Sequence, residues 1–181
     1  VAEPEPARPV ISFIMASRDT VFETQSSEVF CVARHEDDAP LSYSWSSDGG
    51  TLLPADDSAI WFAPKEPGDY AIAVEVSDDA GGSASDSVTI TVTRNEPPIV
   101  TAVTAEPSLL LPGESATLFC DAHDLEGHPI SYEWAASSGT LSGSGPSVTW
   151  TAPNRAGQHY VVVRVTDELG ATRVRNVTVL V

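Results

Sequence analysis

The chain has 181 residues, 41% of them apolar, and sets nine Lys and Arg against 26 Asp and Glu for a formal net charge of −17. That length gives one large domain or two small ones with real cores. The acidic field repels phosphate backbones and anionic lipid heads, which argues against nucleic acid and acidic membranes as partners and favours divalent cations and basic surfaces. No apolar run reaches membrane-spanning length, so membrane insertion is not expected.

Residues 1–8, VAEPEPAR, alternate Pro with acids and read as a linker within a longer chain. From Pro9 onward the sequence is written twice. An offset of 89 residues aligns Pro9 to Val92 with Pro98 to Val181 without a gap, and matches Phe30/Phe119, Cys31/Cys120, Tyr43/Tyr132, Trp45/Trp134, Gly50/Gly139, Trp61/Trp150, Asp78/Asp167 and Gly81/Gly170. The organisation expected is therefore two domains, 9–94 and 98–181, joined by a short Pro-rich linker at 95–97 within RNEPP.

Each copy reads as strands in order. With Ile14 and Cys31 inward, Phe13, Met15, Phe30 and Val32 project outward from the first strands, and the same parity sends out Ile60 and Phe62 around an inward Trp61. The counterparts in the second copy are Ala102, Thr104, Phe119, Asp121, Thr149 and Thr151, so the first copy carries an apolar outer face where the second is mostly polar. Tyr70, Ile72, Val74 and Val76 alternate with small or polar residues, as do Val161, Val163 and Val165. VTITV and VTVLV close the copies as β-branched strands, and DGG, EPGD, DDAGG and ELG supply turns between them. About seven short strands in roughly 85 residues per copy is the arithmetic of an immunoglobulin-like sandwich. Cys31 and Cys120 then face separate cores as buried free thiols, each beside the strand tryptophan Trp45 or Trp134. Ile72 and Val161 stand where an antibody domain has its second cysteine. Tyr70 sits at a tyrosine-corner position, which the second copy fills with His159, leaving Tyr160 next door to compensate.

The opening FCVARHEDDAPLSYSW and FCDAHDLEGHPISYEW, followed by Gly-Thr-Leu, W-x-A-P and V-x-D-x-x-G, resemble the PKD-like (polycystic kidney disease) branch of immunoglobulin-like domains. The chain departs from that pattern after each tryptophan, with WSSDGG and WAASSG in place of an acidic aromatic run. The resemblance implies an all-β pair of sandwiches at an extracellular, cell-surface or periplasmic location. It also implies a non-catalytic role as spacer, adhesion segment or accessory domain, with a protein partner or a neighbouring domain of the parent chain. The apolar residues Phe13, Met15, Ile60 and Phe62 are the candidate protein contact. A carbohydrate-binding accessory of a secreted hydrolase, with polysaccharide as partner, is the alternative, and a calcium-stiffened cadherin-like array is another.

The residues themselves assemble no reaction chemistry. Cys31 and His35 lie on opposite sides of a strand end, and His123 slips by one residue in the second copy, which breaks any shared zinc spacing. No G-x-S-x-G elbow is present, and a cysteine in apolar surroundings is inert. Calcium is the one cofactor candidate. The loop between the Cys and Trp strands and the loop after Asp167 meet at one end of such a sandwich, and they carry Asp121, Asp124, Glu126 and Asp167 in the second copy. The bland alternative is that these aspartates cap turn amides.

Overall fold

The computed structural model describes residues 7–181; most of the expected leading linker, at 1–6, lies outside the described residues. The described chain forms fifteen strands and no helix, divided into two compact units with the boundary between Arg94 and Asn95. Among the described residues, no helix is long and apolar enough to cross a membrane.

In the first unit, β1 (Val10–Ala16), β2 (Thr20–Phe22), β3 (Ser26–Arg34) and β4 (Ser42–Ser47) are followed by β5 (Thr51–Pro54), β6 (Ser58–Phe62), β7 (Gly68–Ser77) and β8 (Ser83–Thr93). They form two four-stranded sheets, β1-β3-β6-β5 and β2-β8-β7-β4. All pairings are antiparallel except the short parallel β2–β8. Burial alternates along β3 and β6, so Val29, Cys31, Ala59 and Trp61 point inward to meet Ile72, Val74, Ile90 and Val92 from the facing sheet. That interleaving of two inner faces is the sandwich core.

The second unit repeats the plan. It comprises β9 (Ile99–Glu106), β10 (Ser115–His123), β11 (Ile130–Ala136), β12 (Thr140–Ser144), β13 (Ser147–Thr151), β14 (Gln158–Asp167) and β15 (Thr172–Leu180). Its sheets run β12-β13-β10-β9 and β11-β14-β15. The short parallel strand of the first unit is reduced here to a single bridge, Leu109 to Leu180.

Both copies place their tryptophans alike. Trp61 and Trp150 are fully buried and donate their indole N–H groups to the carbonyls of Gly49 and Ser138, each at 2.8 Å. This assigns them to the core. Trp45 and Trp134 pack beside Cys31 and Cys120, both of which are buried free thiols. Burial, more than the nearby acids, pushes both thiols up from their ordinary range.

The corner differs from the expectation in an instructive way. Tyr70 donates its hydroxyl to Glu66 O at 2.9 Å and tilts against Trp61, with ring centroids 5.8 Å apart. In the second unit the buried His159 does this itself. Its Nε2 bonds Arg155 O at 3.0 Å, and its ring tilts against Trp150 at 5.9 Å, while Tyr160 stays exposed. The smaller imidazole also leaves room for Ser138 Oγ, which bonds His159 Nδ1. In the first unit the equivalent residue is Gly49, where an added Cβ would collide with Cε1 and Cδ1 of Tyr70. Tyr with Gly and His with Ser are thus matched pairs. His159→Tyr alone is expected to destabilise the second domain by about 1–3 kcal/mol through overpacking. Adding Ser138→Gly should recover most of the loss in urea unfolding, and equal midpoints for the single and double variants would break the pairing.

Candidate functional site

The outer face of the β1-β3-β6-β5 sheet is the first candidate. Phe13, Met15, Ile60 and Phe62 are 48%, 50%, 41% and 39% exposed, as the sequence parity expects. The register sets Phe13 beside Val32 and Met15 beside Phe30, and it aligns Ile60 with Glu28 on one side and Leu53 on the other. Phe30, Val32 and Leu53 are also exposed, so these seven large apolar side chains share one face, with Val10 at its edge beside Arg34. A bulge between Ile11 and Phe13 shifts the register of β1, yet Phe13 and Met15 remain outward. Leu53 is the member that sequence reading missed. Its neighbour Leu52 packs into the core, and period-2 alternation alone would have sent Leu53 outward.

The matching face of the second unit is built differently. Phe119 is flanked by Thr104 on β9 and Ser147 on β13, and the rows beyond pair Asp121 with Ala102 and Thr117 with Thr149. One exposed aromatic among hydroxyl-bearing residues is an ordinary solvated sheet surface.

The acidic loops form the second candidate. In the second unit the four expected cation ligands are mostly occupied by protein. Asp121 accepts the Thr101 hydroxyl at 2.6 Å. Asp167 Oδ1 accepts the amides of Leu169 and Ala171, each at 2.9 Å, and its Oδ2 accepts Asn95 Nδ2 at 2.9 Å. Asp124 Oδ1 accepts the amides of Glu126 at 3.0 Å and His128 at 3.1 Å. Among the described residues, the group whose ligand atoms lie within 4.8 Å of one another is Asp124, Glu126 and His128. Asp121 and Asp167 are outside it, because one is a strand residue bonded across to β9 and the other is folded into its own turn. His128 was not foreseen, since only the curl of the loop around Asp124 brings it back.

The first unit rearranges the same chemistry. Asp78 Oδ1 accepts the amides of Ala80 and Gly82, both at 2.8 Å, and its Oδ2 lies 3.4 Å from His35 Nε2. His35 occupies the position that Asp124 takes in the second copy. The Asp78 carboxyl is held below the usual carboxylate range, first by the Gly82 amide, then by the Ala80 amide and the His35 ring, against the opposing effect of burial. A carboxylate with a lowered folded-state value contributes stability that is complete above the ordinary range, and that is lost as pH falls through the lower value. The first domain should therefore lose urea resistance as the pH falls below the ordinary carboxylate range. Asp78→Asn should flatten that part of the profile, and an unchanged acid slope would count against the assignment.

The fold and these surfaces define a tandem immunoglobulin-like β-sandwich protein with no assembled catalytic constellation among the described residues. The PKD domain profile matches residues 12–92 and 101–179, and the chain belongs to the PKD-domain family. Domains of this kind are generally non-catalytic.

The chain is 26% identical over 192 residues to the mouse dyslexia-associated protein KIAA0319-like protein, a match covering 99% of this chain and 18% of that protein. It thus spans under a fifth of that curated relative. Among solved structures it is similar to the PKD1 domain of Vibrio anguillarum Epp, with 31% identity, 48% of this chain and 95% of that chain covered, and a TM-score of 0.39. It is also similar to the Yersinia pseudotuberculosis adhesin InvE, with 19% identity, 96% and 59% coverage, and a TM-score of 0.36.

Proposed function

We propose that this tandem PKD segment is a protein-contact module of an extracellular or cell-surface protein, and that it binds through the outer β1-β3-β6-β5 face of its first domain. The observation that carries this reading is the seven-residue exposed apolar face, set against the polar face of the second copy. Two copies of one fold meet identical structural demands, so an apolar surface kept in only one of them has a use beyond folding. Membership of the PKD-domain family supports the surface location. Beads coated with the segment are expected to adhere to cell surfaces, and Ile60→Ser with Phe62→Ser should abolish adhesion without changing the melting temperature. Equal adhesion by the variant and the unsubstituted segment would overturn the reading.

A second reading concerns the loop of the second domain. It is favoured by Asp124 Oδ2, which is buried and has no hydrogen-bond partner, beside Glu126. Calcium held there would relieve an oxygen that otherwise stays unsatisfied. The segment should then melt higher in millimolar calcium than in chelator, since a ligand of the native state raises stability, and Asp124→Asn should remove the difference. Superimposed curves would end this reading.

A further inference from the structure

The β1–β3 part of the apolar face is self-complementary, and from its charge pattern we infer that its occupant is a second copy of this chain, packed face to face about a two-fold axis. The inference rests on the reading of this face as a contact surface. Among the residues projecting from the sheet on this side, two are charged, Glu28 and Arg34, and both lie on β3. The face is therefore neutral on a chain of net charge −17. Elsewhere the copies repel; here they need not.

The spacing supplies the symmetry. Along β3 the outward residues run Glu28, Phe30, Val32, Arg34, with Met15 beside Phe30 and Phe13 beside Val32. A two-fold axis lying between the two sheets and crossing β3 at Cys31 reverses the strand and keeps β3 over β3. It sets Phe30 over Val32 of the second copy, Phe13 over Met15, and Glu28 opposite Arg34, while Ile60, Phe62 and Leu53, level with Glu28 and Ser26, fall outside the matched strip. Each partner then supplies one acid and one base at the ends of the apolar strip, the reciprocal matching that an isologous interface requires. A contact centred on Phe13, Met15, Phe30 and Val32 is smaller than the standard interface of about 800 Å² per partner, which makes the expected dimer a weak, reversible one.

The test uses sedimentation of the whole segment. A reversible dimer is expected between about 1 µM and about 1 mM. Glu28→Arg places two pairs of bases across the axis and Arg34→Glu places two pairs of acids, so each variant alone should dimerise at least about tenfold more weakly. An equimolar mixture of the two should recover assembly. The base introduced at position 28 of one chain then faces the acid introduced at position 34 of the other, and the remaining native pair is intact. Both positions are exposed, and unchanged melting curves will show that the variants fold. A chain that stays monomeric across the range overturns the inference, as does a mixture no better than its components. If the monomeric chain still adheres through Ile60 and Phe62, the contact surface stands and only its self-pairing fails. If adhesion ignores those residues as well, both readings fall.

Discussion

Trp61→Ala is expected to cost the first domain about 3–5 kcal/mol, the range for deleting a large aromatic from a packed core. Trp61 is fully buried among Val29, Ala63, Ile72, Ile90 and Val92, residues drawn from both sheets, so no single strand can move in to close the cavity. The substitution also strips Gly49 O of its indole donor and removes the ring against which Tyr70 tilts. A small domain has about 5–15 kcal/mol in all, so the loss is a large share of it. Calorimetry should show the transition of this domain falling by about 12–40 °C, given about 4–8 °C per kcal/mol at this size. Trp150→Ala should do the same to the second domain, since its burial and its bond to Ser138 O are equivalent. A shift of only a few degrees would mean that the indole does not span the two sheets as described.

Gly139→Ala is the second large effect, and it acts through backbone rather than volume. Gly139 holds φ of +78°, and a Cβ there would collide with Thr151 O and stand 2.8 Å from Trp150 Nε1. The left-handed conformation alone costs a side chain about 1–2 kcal/mol. The clash adds about 1–3 kcal/mol, because the obstacles are a ladder carbonyl and a core indole that cannot swing aside. Gly170 is the control. Its φ is +92°, but nothing lies within 4 Å of an added Cβ, so Gly170→Ala should cost only the conformational part. Chemical denaturation of the two variants should separate them by at least about 1 kcal/mol. Equal losses would show that conformation, not contact, dominates at Gly139. Gly50 repeats the arrangement, its added Cβ meeting Phe62 O and lying 2.7 Å from Trp61 Nε1, which is why Gly-Thr-Leu recurs in both copies.

The repeat made much of the fold readable. Alternation from Tyr70 to Val76 and from Val161 to Val165 identifies strands buried on one side, and the 89-residue offset turns each weak signal into two. Inward Cys, Trp and Ile, and outward Phe13, Met15, Ile60 and Phe62, follow from period 2 alone. The parallel β2–β8 pairing was not readable, because three residues carry too little pattern to specify a partner across the sequence. The corner was only half readable, for a different reason. The 89-residue offset puts His159 in place of Tyr70. That His159 rather than Tyr160 makes the corner bond depends on Ser138 replacing Gly49, and those positions meet only across the folded domain.

The candidate sites divide along the same line. Which side chains lie on which face of a strand is a local property, fixed by the geometry of the extended backbone, so the apolar outer face was legible before folding. Which carboxylate oxygens remain available is not local. Asp121, Asp124 and Asp167 look alike in sequence, but their neighbours in space differ: Thr101 across the sheet, two amides within a curled loop, and two turn amides with Asn95. Hydrogen bonding consumes lone pairs one at a time, and only the tertiary arrangement says whose are consumed. The order of residues thus determined two PKD sandwiches, their cores and one unusually apolar face. Three-dimensional packing decided that Asp121 bonds Thr101 across the sheet, that Asp167 bonds its own turn amides and Asn95, and that Asp124 keeps one oxygen unpartnered beside Glu126 and His128.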